Sequence, residues 1–473
     1  MRASGAILLV ACYELGHQPL NLASPLAMLR RAGFSPVAVD TSVSALSDEA
    51  IARANLVAIS APMHTALRLG THVAARVRAL NPDAHLCFYG LYATLNADYL
   101  LRTGADSIIG GEYEEALLAL AESLESSNVS VLEAIAGVRT RDHDASPVLR
   151  RLAYVAPERA PLPAPQSYAY LVRGDEVVPA GYVEATRGCL HTCAHCPITP
   201  VYGGRFFAIP RPLVLEDIRA QVRAGVGHIT FGDPDFLNGP RHALEIVRAM
   251  HAEFPDVTFD ATIKVEHILE RREVFPELAA LGCAFVVSAV ESLSEGVLRH
   301  LKKGHSRADV AEALAILDGA GIPMRPTFVA FTPWTTASDY LDVLDFITEH
   351  GLVEHVDPIQ YAIRLLVPPS SALLDDPDGR EWLGPLDEEA LSYTWRHPDP
   401  RMDALQREVQ ALVERAASQR EPIAVTFAAI RRVAAERLNA REPALVGAGV
   451  SDTTGALRRT RRPIPHLSEP WFC

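Results

Sequence analysis

The sequence predicts an α/β protein of two consecutive units, a doubly wound parallel sheet and a partial (β/α)6 barrel, with a helical extension at the end. Three observations carry this. Short apolar, β-branched runs alternate with helically spaced stretches over residues 6–120, and the same alternation resumes from Tyr182. Between them the run from Ala156 to Pro165 is stiffened by prolines. The expected bounds are 1–140 for the first unit, 141–177 for a Pro-rich linker, 178–370 for the barrel and 371–473 for the extension.

In chain order, strands are expected at residues 7–11, 37–40, 56–60, 85–89 and 107–110. Leu22, Leu26 and Leu29 share a helical face ahead of Gly33, as do Val73, Val77 and Leu80 ahead of Asn81 and Pro82. A parallel sheet of this kind binds ligands beyond the carboxyl ends of its strands, so the loops beginning near Cys12, Ser60 and Tyr89 draw attention. In the second unit, strands are expected at 182–186, 228–232, 258–261, 285–290, 324–330 and 356–365. Ser306 and Asp309 open a helix whose apolar face is Val310, Leu314 and Leu317, and Gly319 and Gly321 end it. Beyond residue 370 the spacing predicts helices over 402–416 and 425–438.

Composition excludes several functions. A chain of 473 residues, 49 % apolar, buries sizeable cores, and a net charge of −14 argues against general nucleic-acid binding. The arginines 458, 459, 461 and 462 read as a solvated tail. The apolar run Ala6 to Ala11 is too short for a bilayer, so a cytoplasmic protein without membrane association is expected. Only three lysines occur, at 264, 302 and 303, and none stands out as a covalent amine catalyst.

Three of the seven cysteines, Cys189, Cys193 and Cys196, fall within Gly188-Cys-Leu-His-Thr-Cys-Ala-His-Cys-Pro197. Three thiolates from one loop suit three irons of a [4Fe–4S] cluster and leave the fourth iron open. The alternative is structural zinc, since His191 or His195 would complete a Cys3His set. A disulfide framework fits poorly with an odd cysteine count and the scatter of Cys12, Cys87, Cys283 and Cys473. The loop follows the first barrel strand, where barrel enzymes place their chemistry.

Further segments resemble the radical S-adenosylmethionine (SAM) enzymes. Ile229-Thr-Phe-Gly-Asp-Pro-Asp-Phe236 is similar to the second-strand segment that meets the SAM amino group. Val286 to Ser294, with Leu301-Lys-Lys-Gly-His305, is similar to the fourth-strand segment, and Ala320 to Pro333 to the fifth. Two departures stand out: His195 replaces the usual aromatic residue before the last cysteine, and Phe331-Thr-Pro-Trp334 replaces the usual glycine-rich and acidic elements. The resemblance implies a [4Fe–4S] cluster that cleaves SAM reductively, a flavodoxin- or ferredoxin-type electron donor, and a small-molecule or peptide substrate. It implies Cys189, Cys193 and Cys196 as cluster ligands, Gly232, Asp233 and Asp235 near the SAM ammonium, Glu291 and Ser292 near the ribose, and Arg325 near the carboxylate.

A first unit ahead of such a barrel resembles the cobalamin (B12)-binding radical SAM subgroup, whose first domain is flavodoxin-like. The carrying segments are Leu56 to Ser60, Tyr89-Gly-Leu-Tyr-Ala-Thr94 and Asp106 to Glu115. The D-x-H-x-x-G signature of a lower cobalt ligand is missing, and His17 lies in the corresponding loop. The resemblance therefore implies cobalamin near His17, Ser60 and Gly90, and a possible methyl transfer to unactivated carbon. The end, Pro465-His-Leu-Ser-Glu-Pro-Trp-Phe-Cys473, resembles a subgroup ending in Cys-Cys-Ala-Glu-Pro or its selenocysteine form, which implies a chain shortened at a selenocysteine codon.

Overall fold

A computed structural model describes residues 1–126, 134–375, 381–438 and 464–469. The first sheet contains β1 (Ile7–Ala11), β2 (Val37–Asp40), β3 (Leu56–Ser60), β4 (His85–Tyr89), β5 (Ser107–Ile109) and β6 (Val138–Arg139). Their order is β2-β1-β3-β4-β5-β6, parallel except for β6, which runs antiparallel to β5. Alternate residues of the same strands enter two separate cores. Leu8, Val10, Val57, Ile59 and Phe88 face one layer of helices, and Ile7, Leu9, Leu56, Ala58 and Tyr89 face the other. Burial on both faces explains why these strands read as continuous apolar runs.

The second sheet contains β7 (Tyr170–Arg173), β8 (Glu176–Val183), β11 (His228–Phe231), β12 (Thr258–Thr262), β13 (Cys283–Glu291), β14 (Met324–Phe328) and β17 (His466–Leu467). Two short pairs stand apart: β9 (Thr186–Gly188) with β10 (Phe206–Ala208), and β15 (Leu383–Asp387) with β16 (Ser392–Trp395). The large sheet runs β14-β13-β12-β11-β8-β7-β17. The five strands from the edge strand β14 to β8 are parallel, so their carboxyl ends form one mouth. Ser306 and Asp309 do form a capping box for the helix Arg307–Ala320, which Gly321 ends at φ +77°, whereas Gly319 lies inside the helix.

Four expectations need correction. Residues 356–365 are not a sixth strand. They form a 3-10 turn, Pro358–Tyr361, and touch the sheet edge through a bridge between Phe331 and Arg364, because Pro358 cannot donate to a ladder. The barrel sheet begins at Tyr170, inside the supposed linker, since β7 and β8 are a hairpin. The proline-rich run is anchored too: Arg159 is buried and grips Asp217 through two hydrogen bonds of 2.8 Å. The extension has the two expected helices, Pro400–Gln419 and Ile423–Leu438, but it also returns β17 to the barrel sheet. The arginines 458 to 462 and Cys473 lie outside the described residues. No described helix is long and apolar enough to cross a membrane.

Candidate functional site

The cysteine loop is the excursion between β9 and β10, which pair with Phe206 opposite Gly188. Gly188 has φ +76°, and a Cβ there would lie 2.4 Å from the Arg205 carbonyl oxygen and 2.5 Å from the Tyr202 ring. Only glycine fits ahead of Cys189. Backbone contacts then fix the loop: Ala194 N–H donates to the Leu301 carbonyl (2.9 Å), Cys196 N–H to that of Cys193 (3.2 Å), and the Thr199 hydroxyl to that of Cys193 (2.8 Å). Cys189, Cys193 and Cys196 are free thiols, the first two buried. Burial pushes the Cys189 thiol up and the Cys196 thiol to about 12, so metal loading must expel protons.

This donor set fits an iron–sulfur cluster better than one zinc ion. Tetrahedral zinc with bonds of ~2.3 Å brings its sulfurs within ~3.8 Å of one another. Among the described residues the three thiols do not gather within 4.8 Å, with or without a histidine.

Beside the loop lies a charged group that sequence reasoning missed. Lys303, 3 % exposed, has Nζ 3.4 Å from Glu291 Oε1, and His195 Nε2 is 3.3 Å from the same oxygen. Burial opposes the Lys303 charge, but Glu291 and the nearby Cys193 and Cys196 outweigh it and keep the ammonium protonated. Burial likewise opposes the Glu291 carboxylate, yet Lys303 and His195 hold its pKa at about 2. Glu291 sits at φ +66° beside a register shift of β13 against β14, a strained conformation for a residue with a side chain. Only its adjacency to the fourth-strand segment could have marked Lys303 from sequence.

The other expected SAM contacts divide. Gly232 ends its strand under Tyr182, where a Cβ would sit 1.9 Å from the hydroxyl. Asp233 accepts from Ala185 N–H (2.9 Å) and the Thr186 hydroxyl (2.5 Å), and burial raises its carboxyl to about 7. Asp233 thus ties the strand before the cysteines to the neighbouring loop. Asp235 faces His191 and His267 instead of the open mouth. Ser292 accepts from Ser294 N–H at the entry of the next helix. Arg325 does not reach the mouth. It is the second residue of β14, three positions or ~10 Å back from Phe328, and pairs with Asp357 at 2.6 Å.

At the first sheet, Ser60 and Gly90 do come together at the carboxyl ends of β3 and β4. Gly90 has φ +103°, and a Cβ there would lie 3.3 Å from the Ala61 backbone. His17 is turned elsewhere: 2 % exposed, it packs 5.2 Å from the Tyr182 ring with neither nitrogen hydrogen-bonded. Burial lowers its pKa to about 4, so the imidazole is neutral. In the same loop Glu14 accepts from Asn21, and burial lifts its carboxyl to about 8. A carboxyl raised in the folded state favours folding fully below its unfolded pKa and loses that advantage as pH rises through the folded one. Stability should therefore fall between pH 4.5 and about 8, by up to ~1.4 kcal/mol per pH unit. Urea midpoints at pH 5, 6.5 and 8 should show this slope flattened in Glu14→Gln; an unchanged slope would assign it to other groups.

The two units meet at Arg187, two residues before Cys189. Its buried guanidinium pairs with Glu184 (2.9 Å), Glu112 (3.3 Å) and Glu114 (2.7 Å) and lies over the rings of Tyr113 and Tyr154. Glu112 also accepts from the Tyr154 and Tyr202 hydroxyls at 2.9 and 3.0 Å.

A doubly wound sheet locked beside a half-barrel, whose mouth carries three free thiols in one loop, defines a two-domain cofactor-dependent enzyme frame. Comparisons with known proteins specify it. Residues 183–347 match the Radical SAM superfamily and residues 6–121 the B12 binding domain. The chain thus contains a radical SAM domain and, ahead of it, a B12-binding domain. Two solved structures share the fold. The cobalamin-dependent S-adenosylmethionine radical enzyme OxsB, with aqua-cobalamin bound, has a TM-score of 0.70 at 15 % identity, covering 87 % of this chain and 67 % of that one. The radical S-adenosylmethionine methyltransferase TsrM from Kitasatospora setae, with cobalamin and a [4Fe–4S] cluster bound, has 0.58 at 18 %, covering 73 % and 70 %. Among curated proteins, the bacteriochlorophyllide d C-12(1)-methyltransferase of Chlorobaculum tepidum is 31 % identical over 133 residues, 28 % of each chain. The curated matches span 28 to 41 % of those relatives' own lengths.

Proposed function

We propose that this chain is a cytoplasmic cobalamin-dependent radical SAM methyltransferase that acts on unactivated carbon of a small molecule or peptide. The observation that carries the reading is the placement of the three-thiol loop: it opens the barrel mouth and, through Arg187, is tied to the loop after β5 of the B12-binding domain. When bound, the cluster supplies the electron that cleaves SAM, and cobalamin supplies a methyl carrier. Cys189, Cys193 and Cys196 would hold the cluster, and the buried Lys303 would balance thiolate charge beside it. Glu291, fixed by Lys303 and His195, offers a carboxylate to a polar group of SAM at the end of β13. Ser60 and Gly90 border the cobalamin face. A flavodoxin- or ferredoxin-type donor delivers the electron.

The burial of His17 against Tyr182 adds a detail: this imidazole would not be a ligand to cobalamin bound there. Anaerobic reconstitution with iron, sulfide and hydroxocobalamin tests the whole reading. About four irons and four sulfides and one cobalt per chain are expected, and the bound cobalamin spectrum should be the same in His17→Ala. Iron without cobalt would leave a radical SAM enzyme whose first domain serves another purpose. Stoichiometric zinc without sulfide would overturn both.

A further inference from the structure

His191, Asp235 and His267 form a second polar centre beside the cysteine loop. His191 Nε2, Asp235 Oδ2 and His267 Nδ1 lie within 4.8 Å of one another, and the carboxylate oxygen is 3.2 Å from the first nitrogen and 2.8 Å from the second. Ligands ~2.1 Å from one metal stand ~3.0–3.4 Å apart in octahedral or tetrahedral arrangement; the 3.2 Å spacing falls in that range and the 2.8 Å one just below it, so a small outward shift of His267 would admit a shared ion. Neither imidazole meets strict hydrogen-bond geometry with the carboxylate, yet both are paired with it at these distances. The three polar atoms, all sealed from solvent, thus converge on one point.

The surroundings aim the ligands. Asp235 is 1 % exposed, and its other oxygen accepts from Leu237 N–H at 3.1 Å, which directs Oδ2 at the histidines. Behind His191, the Nδ1 atom is 3.5 Å from Glu266 Oε2 and 3.3 Å from Lys264 Nζ, and Lys264 and Glu266 pair with each other. As a donor to Nδ1, the Lys264 ammonium favours the tautomer with its proton on Nε2, so a metal ion binding Nε2 would displace that proton. Lys264 offsets one of the two carboxylates, and the other, Asp235, faces both imidazoles. The imidazole rings are partly exposed, at 20 and 12 %, while the converging atoms are not.

We propose that His191, Asp235 and His267 bind a single divalent first-row transition-metal ion, separate from the iron–sulfur cluster, with positions open to an oxygen ligand of the substrate. Two imidazoles and one carboxylate with open positions are a set that iron(II) and zinc both accept. The site goes beyond the proposed methyl transfer, and its test does not depend on that activity.

The test uses the cluster-loaded chain, freed of adventitious metal and titrated anaerobically with ZnCl2 and, separately, CoCl2. One zinc per chain is expected while iron stays constant, and His267→Ala and Asp235→Asn should weaken zinc binding at least ~10-fold. Cobalt should give ligand-field bands without sulfur-to-metal charge transfer. Wild-type protein that takes up no zinc beyond the cluster, or cobalt bands showing thiolate ligation, would overturn the proposal even if a variant failed to fold. Equal zinc affinity in wild type and His267→Ala would also overturn it.

Discussion

Replacing Cys189, Cys193 or Cys196 with alanine will reduce iron to background and abolish SAM cleavage in each single variant. On the proposed function each of the three supplies a ligand, and no other described cysteine lies in the loop to replace it. Cys12, Cys87 and Cys283 are buried in strands or directly beside them. Burial pushes the Cys12 thiol to about 11 and that of Cys87 to about 12, and raises Cys283 as well, so they behave as small hydrophobes. Alanine at those three positions should leave cluster content unchanged. Iron analysis and the visible absorption of the cluster decide the matter, and full iron in any one variant of the loop would refute the assignment.

The largest expected loss of stability comes from Arg187→Met. Burial raises the Glu112 and Glu184 carboxyls and Arg187 pulls them back; for Glu114 the arginine wins and the carboxyl falls below its usual range. Removing the cation leaves three acidic groups facing one another out of water. Breaking a buried ion pair from one side costs ~3–5 kcal/mol, and here one side chain serves three partners. Without arginine the carboxyls titrate higher, so the deficit should shrink as pH falls and they become neutral. Urea unfolding of wild type and variant at pH 8 and 5.5 measures both effects. A loss below ~1 kcal/mol at pH 8, the range of a surface pair, would show that the junction does not rely on this arginine.

Much of the first sheet was legible because its central strands are buried on both faces, which writes continuous apolar runs into the chain. All five parallel strands of the first sheet lie where those runs predict. The cysteine loop was legible for a different reason: its chemistry is local, packed into eight residues. What failed was long-range. The ends of β14 depend on pairing with β13, so Arg325 read as a mouth residue although it lies near the start of its strand. Pro358 disrupts a run that otherwise has strand composition. Arg187, Lys303, Asp235 and His267 gain meaning only from partners 12 to 75 residues away. His191 read as a zinc candidate through its cysteine neighbours, while its nearest acidic groups sit on the loop after β11 and in the first turn of the helix Val265–Glu270.

The pairing of β17 with β7 has a bearing on how the chain is made. His466 and Leu467 lie opposite Val172 and Leu171, and Leu467 packs against Phe285 and Val287. The strand that seals this edge therefore leaves the ribosome about 300 residues after its partner. At ~5–20 residues per second, β7 spends ~15–60 seconds as a bare edge, able to recruit a strand from another nascent chain. Arg173 and Glu176, charged and exposed at the tip of the β7–β8 hairpin, suit a segment that must wait. Expression hosts, chaperone load and the placement of an affinity tag act on this interval before the catalytic centre exists.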